Sequence, residues 1–166
     1  MAVREGLEEA SSPQQAHEKF LSFDLDGEVY GFALGDVAEI MRLQRITPVP
    51  GVPSFLRGVI NLRGTVVPVT DIRLRLGLGE REHDDRTCIV VVHAGGERIG
   101  VIVDTVREVV DVPTDRIQRN MAASAEDAAP FITGLGRVED RVTILLDARK
   151  LLEWDPAEPL PGGARS

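Results

Sequence analysis

The chain is patterned as short apolar or β-branched runs of strand length, broken at glycines and prolines. Phe20 to Leu25 and Glu28 to Leu34 flank Asp26-Gly27, a two-residue hairpin signal. Val37 to Met41 predicts a third strand or a helical turn leading into one, and ordered structure is expected to begin at Phe20. Ile46 to Val49 is held extended by Pro48, Pro50 and Pro53, because a proline disfavours helix in the residue before it. Ser54 to Arg57 is expected to form one helical turn. A second hairpin joins Val59–Leu62 to Val66–Val69 through Arg63-Gly64, where glycine accepts the positive φ of a tight turn. Asp71 then stands at a helix N-cap, before Ile72, Leu74 and Leu76.

The second half is built alike. After a polar connection, Gly77 to Arg86, come Thr87–His93 and Arg98–Val103 around Gly95-Gly96, then Val106–Val112, ended by Pro113. An alanine-rich connection from 113 to 130 leads to a last hairpin, Ile132–Val138 with Arg141–Leu146. Asp147 to Trp154 predicts a short helix with Leu151 and Leu152 toward the core and Trp154 as a lid on its apolar face. Residues 1–18 and 155–166 carry no such patterning and are expected to be disordered tails around a domain at 19–154.

An internal repeat ties the halves together. A shift of 69 residues superposes Gly27 on Gly96, Gly31 on Gly100, Val37 on Val106 and Glu39 on Glu108. A shift of 76 superposes Gly58 on Gly134, Leu62 on Val138, Asp71 on Asp147 and Arg73 on Arg149. Five strands in each half, turning at glycines, predict two intertwined five-stranded β-barrel subdomains around a shared aliphatic interior.

Composition narrows the function. The 166 residues carry 19 basic and 27 acidic side chains, a net charge of −8 that disfavours nucleic-acid backbones. No apolar run reaches the ~20 residues of a membrane span, and no secretory signal opens the chain. The single Cys88 excludes an internal disulfide, which suits a soluble protein of the cytoplasm.

Catalytic chemistry has few parts here. Asp71 and Asp147 occupy equivalent places and are explained as helix caps, although a small acidic β-barrel enzyme would use one or the other. His83 beside Asp84 and Asp85 has no second histidine at ligand spacing, so neither a metal nor another cofactor is expected. His17 falls in the tail and His93 at a strand end, while Cys88 suits a buried structural thiol rather than a nucleophile. No phosphate-binding loop occurs. Glu39 and Arg63 stand beside apolar segments and can pair. The residues alone leave open whether such a pair is the rim of a partner site or a surface salt bridge worth about 0–1 kcal/mol.

The run Gly58-Val59-Ile60-Asn61-Leu62-Arg63-Gly64, followed by Val67-Pro68-Val69 and Asp71-Ile72-Arg73, closely resembles the signature of CheW-type chemotaxis coupling proteins. Phe20-Leu21-Ser22-Phe23, Tyr30-Gly31, Val37-Ala38-Glu39-Ile40, Gly100 to Asp104, Ile132 to Gly136 and Ile144-Leu145-Leu146 extend the resemblance over the patterned chain. It implies a mainly β fold of two SH3-like barrels and a non-enzymatic adaptor without cofactors. Such an adaptor joins the cytoplasmic hairpin tip of methyl-accepting chemoreceptors to the regulatory domain of the histidine kinase CheA, in the cytoplasm at receptor arrays.

A receptor-binding groove between the subdomains is implied at Val37, Glu39, Ile40, Arg57, Gly58 and Arg63, with Cys88, Ile99 and Val106 as apolar wall. CheA contacts are implied at the barrel ends. The resemblance is equally compatible with a chemosensory pathway that does not govern swimming, such as surface motility or second-messenger control. The loop 77–86 matches no fixed pattern of the family.

Overall fold

Strand follows strand with few interruptions. The computed structural model describes residues 16–119 and 131–153. Its first half contains β1 (His17–Leu25), β2 (Glu28–Ala33), a 3-10 turn (Leu34–Asp36), β3 (Val37–Arg42), β4 (Leu56–Leu62), β5 (Thr65–Asp71) and the one-turn helix α1 (Ile72–Arg75). The second half contains β6 (Cys88–Ala94), β7 (Glu97–Val103), β8 (Thr105–Pro113), a 3-10 turn (Thr114–Arg116), β9 (Ile117–Gln118), β10 (Ile132–Val138), β11 (Arg141–Leu146) and α2 (Ala148–Leu152), the same succession apart from the place of the 3-10 turn and the added β9. The expected hairpins, caps and third strands are all present. Trp154 and residues 120–130 lie outside the described residues.

Local backbone chemistry explains the turns. Asp26-Gly27 (φ +56° and +84°) and Arg63-Gly64 (φ +52° and +86°) are left-handed at both positions, as a tight hairpin matched to strand twist requires. Asp71 and Asp147 cap the two helices: their carboxylates accept the N–H of Arg73 at 3.0 Å and of Lys150 at 3.1 Å.

Two sheets form a mainly β fold of two barrel-like subdomains. One has six strands in the order β8-β1-β2-β11-β10-β9, the other five in the order β3-β6-β7-β5-β4. Neither is built from one half of the chain, as a barrel per half requires. Each half lends its first hairpin to the other: β1-β2 joins β8, β10 and β11, while β6-β7 joins β3, β4 and β5. The exchange obeys the repeat. Leu145 pairs with Gly31 in the parallel β11–β2 ladder, as Val69 pairs with Gly100 in the parallel β5–β7 ladder.

The exchange also explains the core. β6 is buried on both faces, so Ile89 to Val92 form a continuous apolar run instead of an alternating one. Ile89 and Val91 join Ile60, Leu62, Val67, Val69 and Ile102 inside the five-stranded sheet. Val90 and Val92 face the other way, into a shared core with Leu21, Phe23, Leu25, Phe32, Ile72, Leu146 and Leu151. Fully burying such side chains stabilises by about 1.5–3 kcal/mol each. Leu151 and Leu152 face this core, as their spacing predicts.

Four local expectations change. β1 starts at His17, three residues before Phe20, because His17 and Glu18 pair with Pro113 and Val112 of β8. His17 accordingly sits in a strand, 3.5 Å from Asp111. Ser54 to Arg57 is no helical turn. The Leu56 N–H donates to the Pro53 carbonyl at 3.0 Å, and Leu56 is already paired with Thr70 of β5. The connection after Pro113 contains the short β9, which makes the sixth strand of its sheet. Finally, Cys88 is only partly buried, at the fringe of the shared core rather than within it.

Candidate functional site

β3 lies at the edge of the five-stranded sheet, and a bulge between Val37 and Glu39 near its start shifts the pleat. Val37 and Ile40 pair with Val92 and Val90 on the face toward the shared core, whereas Glu39 and Met41 pair with Val91 and Ile89 on the face of the sheet's own core. Val37 packs on the shared core and Met41 on the core of its own sheet. The Glu39 carboxylate therefore emerges between two apolar clusters. There it accepts a hydrogen bond from Arg63 Nη2 at 2.5 Å. Glu39 is 27% exposed and Arg63 68%, so the pair forms a rim with its acid half-sheltered and its base in solvent.

Arg63 reaches this position from the first residue of the β4–β5 turn, and the Asn61 side chain braces the turn by accepting the Gly64 N–H at 2.9 Å. The same pair does not recur in the other sheet. The residues equivalent to Glu39 and Arg63 are Glu108 and Glu139, both acidic, lining an open cavity of about 380 Å³ with Arg107 and Arg141. The charge complementarity belongs to one subdomain alone.

The other residues picked out by sequence divide into three groups. Val37, Cys88, Ile99 and Val106 all fringe the shared core, drawn from both sheets, and Val37 and Ile99 both neighbour Val92 across the strands. Ile40 does not join Glu39: it projects from the opposite side of β3 and is 45% exposed. Gly58 supplies space rather than a contact. At φ +144° it sits on a bulge, and a Cβ there would stand 2.1 Å from the Thr47 carbonyl oxygen. Thr47 exchanges hydrogen bonds of 2.8 and 2.9 Å with Val59 beside it, so Gly58 admits the extended 46–49 segment. Gly134 does the same for β9, with the Gln118 carbonyl oxygen at 2.7 Å.

Arg57 is half-buried and lies 3.5 Å from Glu80 of the 77–86 loop. That loop is anchored by a buried cluster. Arg73, 9% exposed, places Nη1 2.8 Å from Asp104 and Nη2 3.0 Å from Asp26. Asp104 also pairs with Arg81 at 2.8 Å and accepts the Asp26 N–H at 3.0 Å. Its two cations and two carboxylates balance, which a buried ionic group requires. Sequence reading treated Arg73 only as a motif residue. The signal was available: the repeat matches Arg73 to Arg149, but places Gly95 and Gly35 where Asp26 and Asp104 stand.

Arg75 was missed as well. Its guanidinium lies 4.8 Å from the Phe55 ring centre and 5.1 Å from that of Phe131, residues 76 apart, and its Nε donates to the Leu151 carbonyl at 2.7 Å. One cation thereby joins matching points of the two halves.

Two carboxyls are shifted upward. Burial raises Asp71, opposed by the Arg73 N–H, by Arg57 and His83, and by the Leu74 N–H. Burial also raises Asp36, helped by the nearby charge of Asp147 and opposed by His93. Asp84 is lowered, chiefly by the Arg86 N–H. Among the described residues no three His, Cys, Asp or Glu side chains converge as a metal site, and no helix is long and apolar enough to cross a membrane.

The model of the CheW-like domain matches residues 19–155. A chemotaxis protein CheW of Klebsiella aerogenes is 33% identical over 149 residues, spanning 90% of each chain. One from Bacillus subtilis is 33% identical, over 85% of this chain and 90% of that one. Protein FrzA of Myxococcus xanthus is 34% identical over 68% of this chain and 69% of its own. The crystal structure of the scaffolding protein TtCheW from Thermoanaerobacter tengcongensis superposes with a TM-score of 0.77 at 31% identity, over 87% of this chain and 99% of that one. With that fold, that charged rim and those relatives, the chain belongs to the CheW-like domain family.

Proposed function

We propose that this chain is a non-enzymatic adaptor of chemotaxis signalling, coupling chemoreceptor cytoplasmic hairpin tips to the histidine kinase CheA at receptor arrays in the cytoplasm. The observation that carries the reading is the Glu39–Arg63 pair, set between two apolar clusters and absent from the equivalent place in the other sheet.

The receptor groove consists of Val37, Glu39, Ile40, Arg57 and Arg63, with Cys88, Ile99 and Val106 as apolar wall and Gly58 shaping its floor. Ile40 shares with Val37 the face of β3 that pairs with Val90 and Val92. Val66 is exposed in the five-stranded sheet, and the repeat matches it to Val142, exposed in the other. These two residues are the candidate CheA contacts, one on each subdomain. Coupling follows from state-dependent fit: a receptor conformation that binds the groove better shifts the kinase equilibrium by that difference in affinity. A non-catalytic role is supported by Asp71 and Asp147, whose carboxylates are occupied as helix caps.

Calorimetric titration with a CheA regulatory domain and, separately, a chemoreceptor hairpin fragment from the same cell tests the assignment. Binding to both is expected; binding to neither by the folded protein overturns it. Similarity to FrzA is compatible with a second reading, service in a chemosensory pathway other than swimming, and preference for that pathway's receptor and kinase would select it.

A further inference from the structure

The loop 77–86 is polar in sequence yet held at several points. The Arg73 carbonyl accepts the Leu78 N–H at 2.8 Å, and Arg73 Nε donates to the Gly79 carbonyl at 3.0 Å. Arg81 is tied to Asp104 at 2.8 Å. Farther on, Asp84 accepts the Arg86 N–H at 2.8 Å and its own N–H donates to Thr87 Oγ1 at 3.0 Å. Glu80 is thus the residue between two anchors, 79 and 81, and its carboxylate lies 3.5 Å from Arg57.

This apparatus is not a requirement of the barrel. In the symmetry-matched place Arg149 is 69% exposed, and glycines replace both of the aspartates that hold Arg73. The second sheet folds without the cluster. What distinguishes the first is the loop that the cluster holds.

We infer that Glu80 is a positioning residue of the receptor groove, held by the Arg73–Asp104–Arg81 cluster so that its carboxylate fixes the guanidinium of Arg57, a residue the groove reading includes. The inference rests on the receptor-groove reading and adds the loop as the element that tunes it. A free Arg57 would sample many rotamers and would lose that freedom on binding; Glu80 removes part of the cost beforehand. Because the loop reaches Arg57 through Glu80, it is also where receptor preference is set without altering Glu39 or Arg63.

The test is a double-mutant cycle on the full chain, with a chemoreceptor hairpin fragment as ligand and a CheA regulatory domain as control. Glu80→Gln is expected to weaken receptor-fragment binding about two- to fivefold, the size of one partly exposed ion pair. Affinity for the CheA domain and the thermal midpoint should stay unchanged. In an Arg57→Ala background the same substitution should have no further effect, and Arg81→Gln, which frees one anchor, should reproduce part of the loss. Additive effects of Glu80→Gln and Arg57→Ala, or a loss confined to Arg57→Ala, overturn the positioning role and leave the groove intact. If Arg57, Glu39 and Arg63 variants all bind the fragment normally, the groove assignment itself falls.

Discussion

Arg73 and Asp104 meet at 2.8 Å with both side chains more than nine-tenths buried, whereas the residues that the repeat sets opposite them, Arg149 and Gly35, form no such pair. One pseudo-symmetric site carries a buried ionic cluster and the other a solvated arginine. Removing Arg73 leaves Asp104 and Asp26 facing each other beside Arg81 alone. Arg73→Met should therefore destabilise by about 3–5 kcal/mol, against less than about 0.5 kcal/mol for Arg149→Met. Urea unfolding of the two variants measures the contrast, and equal losses would show that the cluster contributes nothing special.

The glycines at the two bulges give a second contrast. Gly58 has both a positive φ and a carbonyl oxygen in the path of any side chain; Gly134 has only the nearby carbonyl. Gly58→Ala should cost about 1–3 kcal/mol from backbone conformation alone, with a further loss as Thr47 is displaced. Gly134→Ala should cost less. Thermal melts rank them, and the reverse order would mean that the 46–49 segment yields freely.

Hairpins, turns and caps were legible in the sequence because each is decided by neighbours in the chain. Asp26-Gly27 and Arg63-Gly64 announce tight turns through backbone conformation, and Asp71 announces a helix start through the N–H it accepts. Partner choice between strands was not legible. Nothing local to β2 says that its parallel neighbour is β11, more than a hundred residues away. The Glu39–Arg63 contact was foreseeable from opposite charge beside apolar runs, but the placing of Ile40 on the same face as Val37 needed the strand's pleat, which the bulge after Val37 resets.

Burial and ionisation are linked at Asp71. Its carboxyl is held above the ordinary range by burial, so the folded chain keeps this proton to a higher pH than the unfolded chain does. Its contribution to stability is complete below the ordinary carboxyl pKa of about 4 and is lost as pH rises through the folded value. Asp71→Asn keeps the cap acceptor without titrating. Relative to that variant, the native protein should lose stability from about pH 4 upward and then level off. Asp71→Ala should in addition lose the cap, about 1 kcal/mol at any pH. Denaturation at several pH values separates the two terms, and a constant difference between native and Asn proteins would rule out the linkage.

Charge exchange probes the rim. Arg63→Glu and Glu39→Arg should each weaken receptor-fragment binding with little change in thermal midpoint, since the pair is largely solvated. The double exchange should recover part of the affinity if each side chain acts through the other. A double variant no better than either single would mean that each charge meets the receptor independently.

The hairpin exchange has a developmental reading. Residues up to the end of α1 include β3, whose ladder partner among the described residues is β6, and β1, which keeps β2 but lacks its other neighbour β8 at that point. Half a chain would therefore be left with orphan strands, which a second identical half could satisfy by trading hairpins. The present molecule has the layout of such a swapped pair joined through the 77–86 segment. Within one chain the two halves need not match, and the rim charges and the anchored loop both stand on one side of that asymmetry.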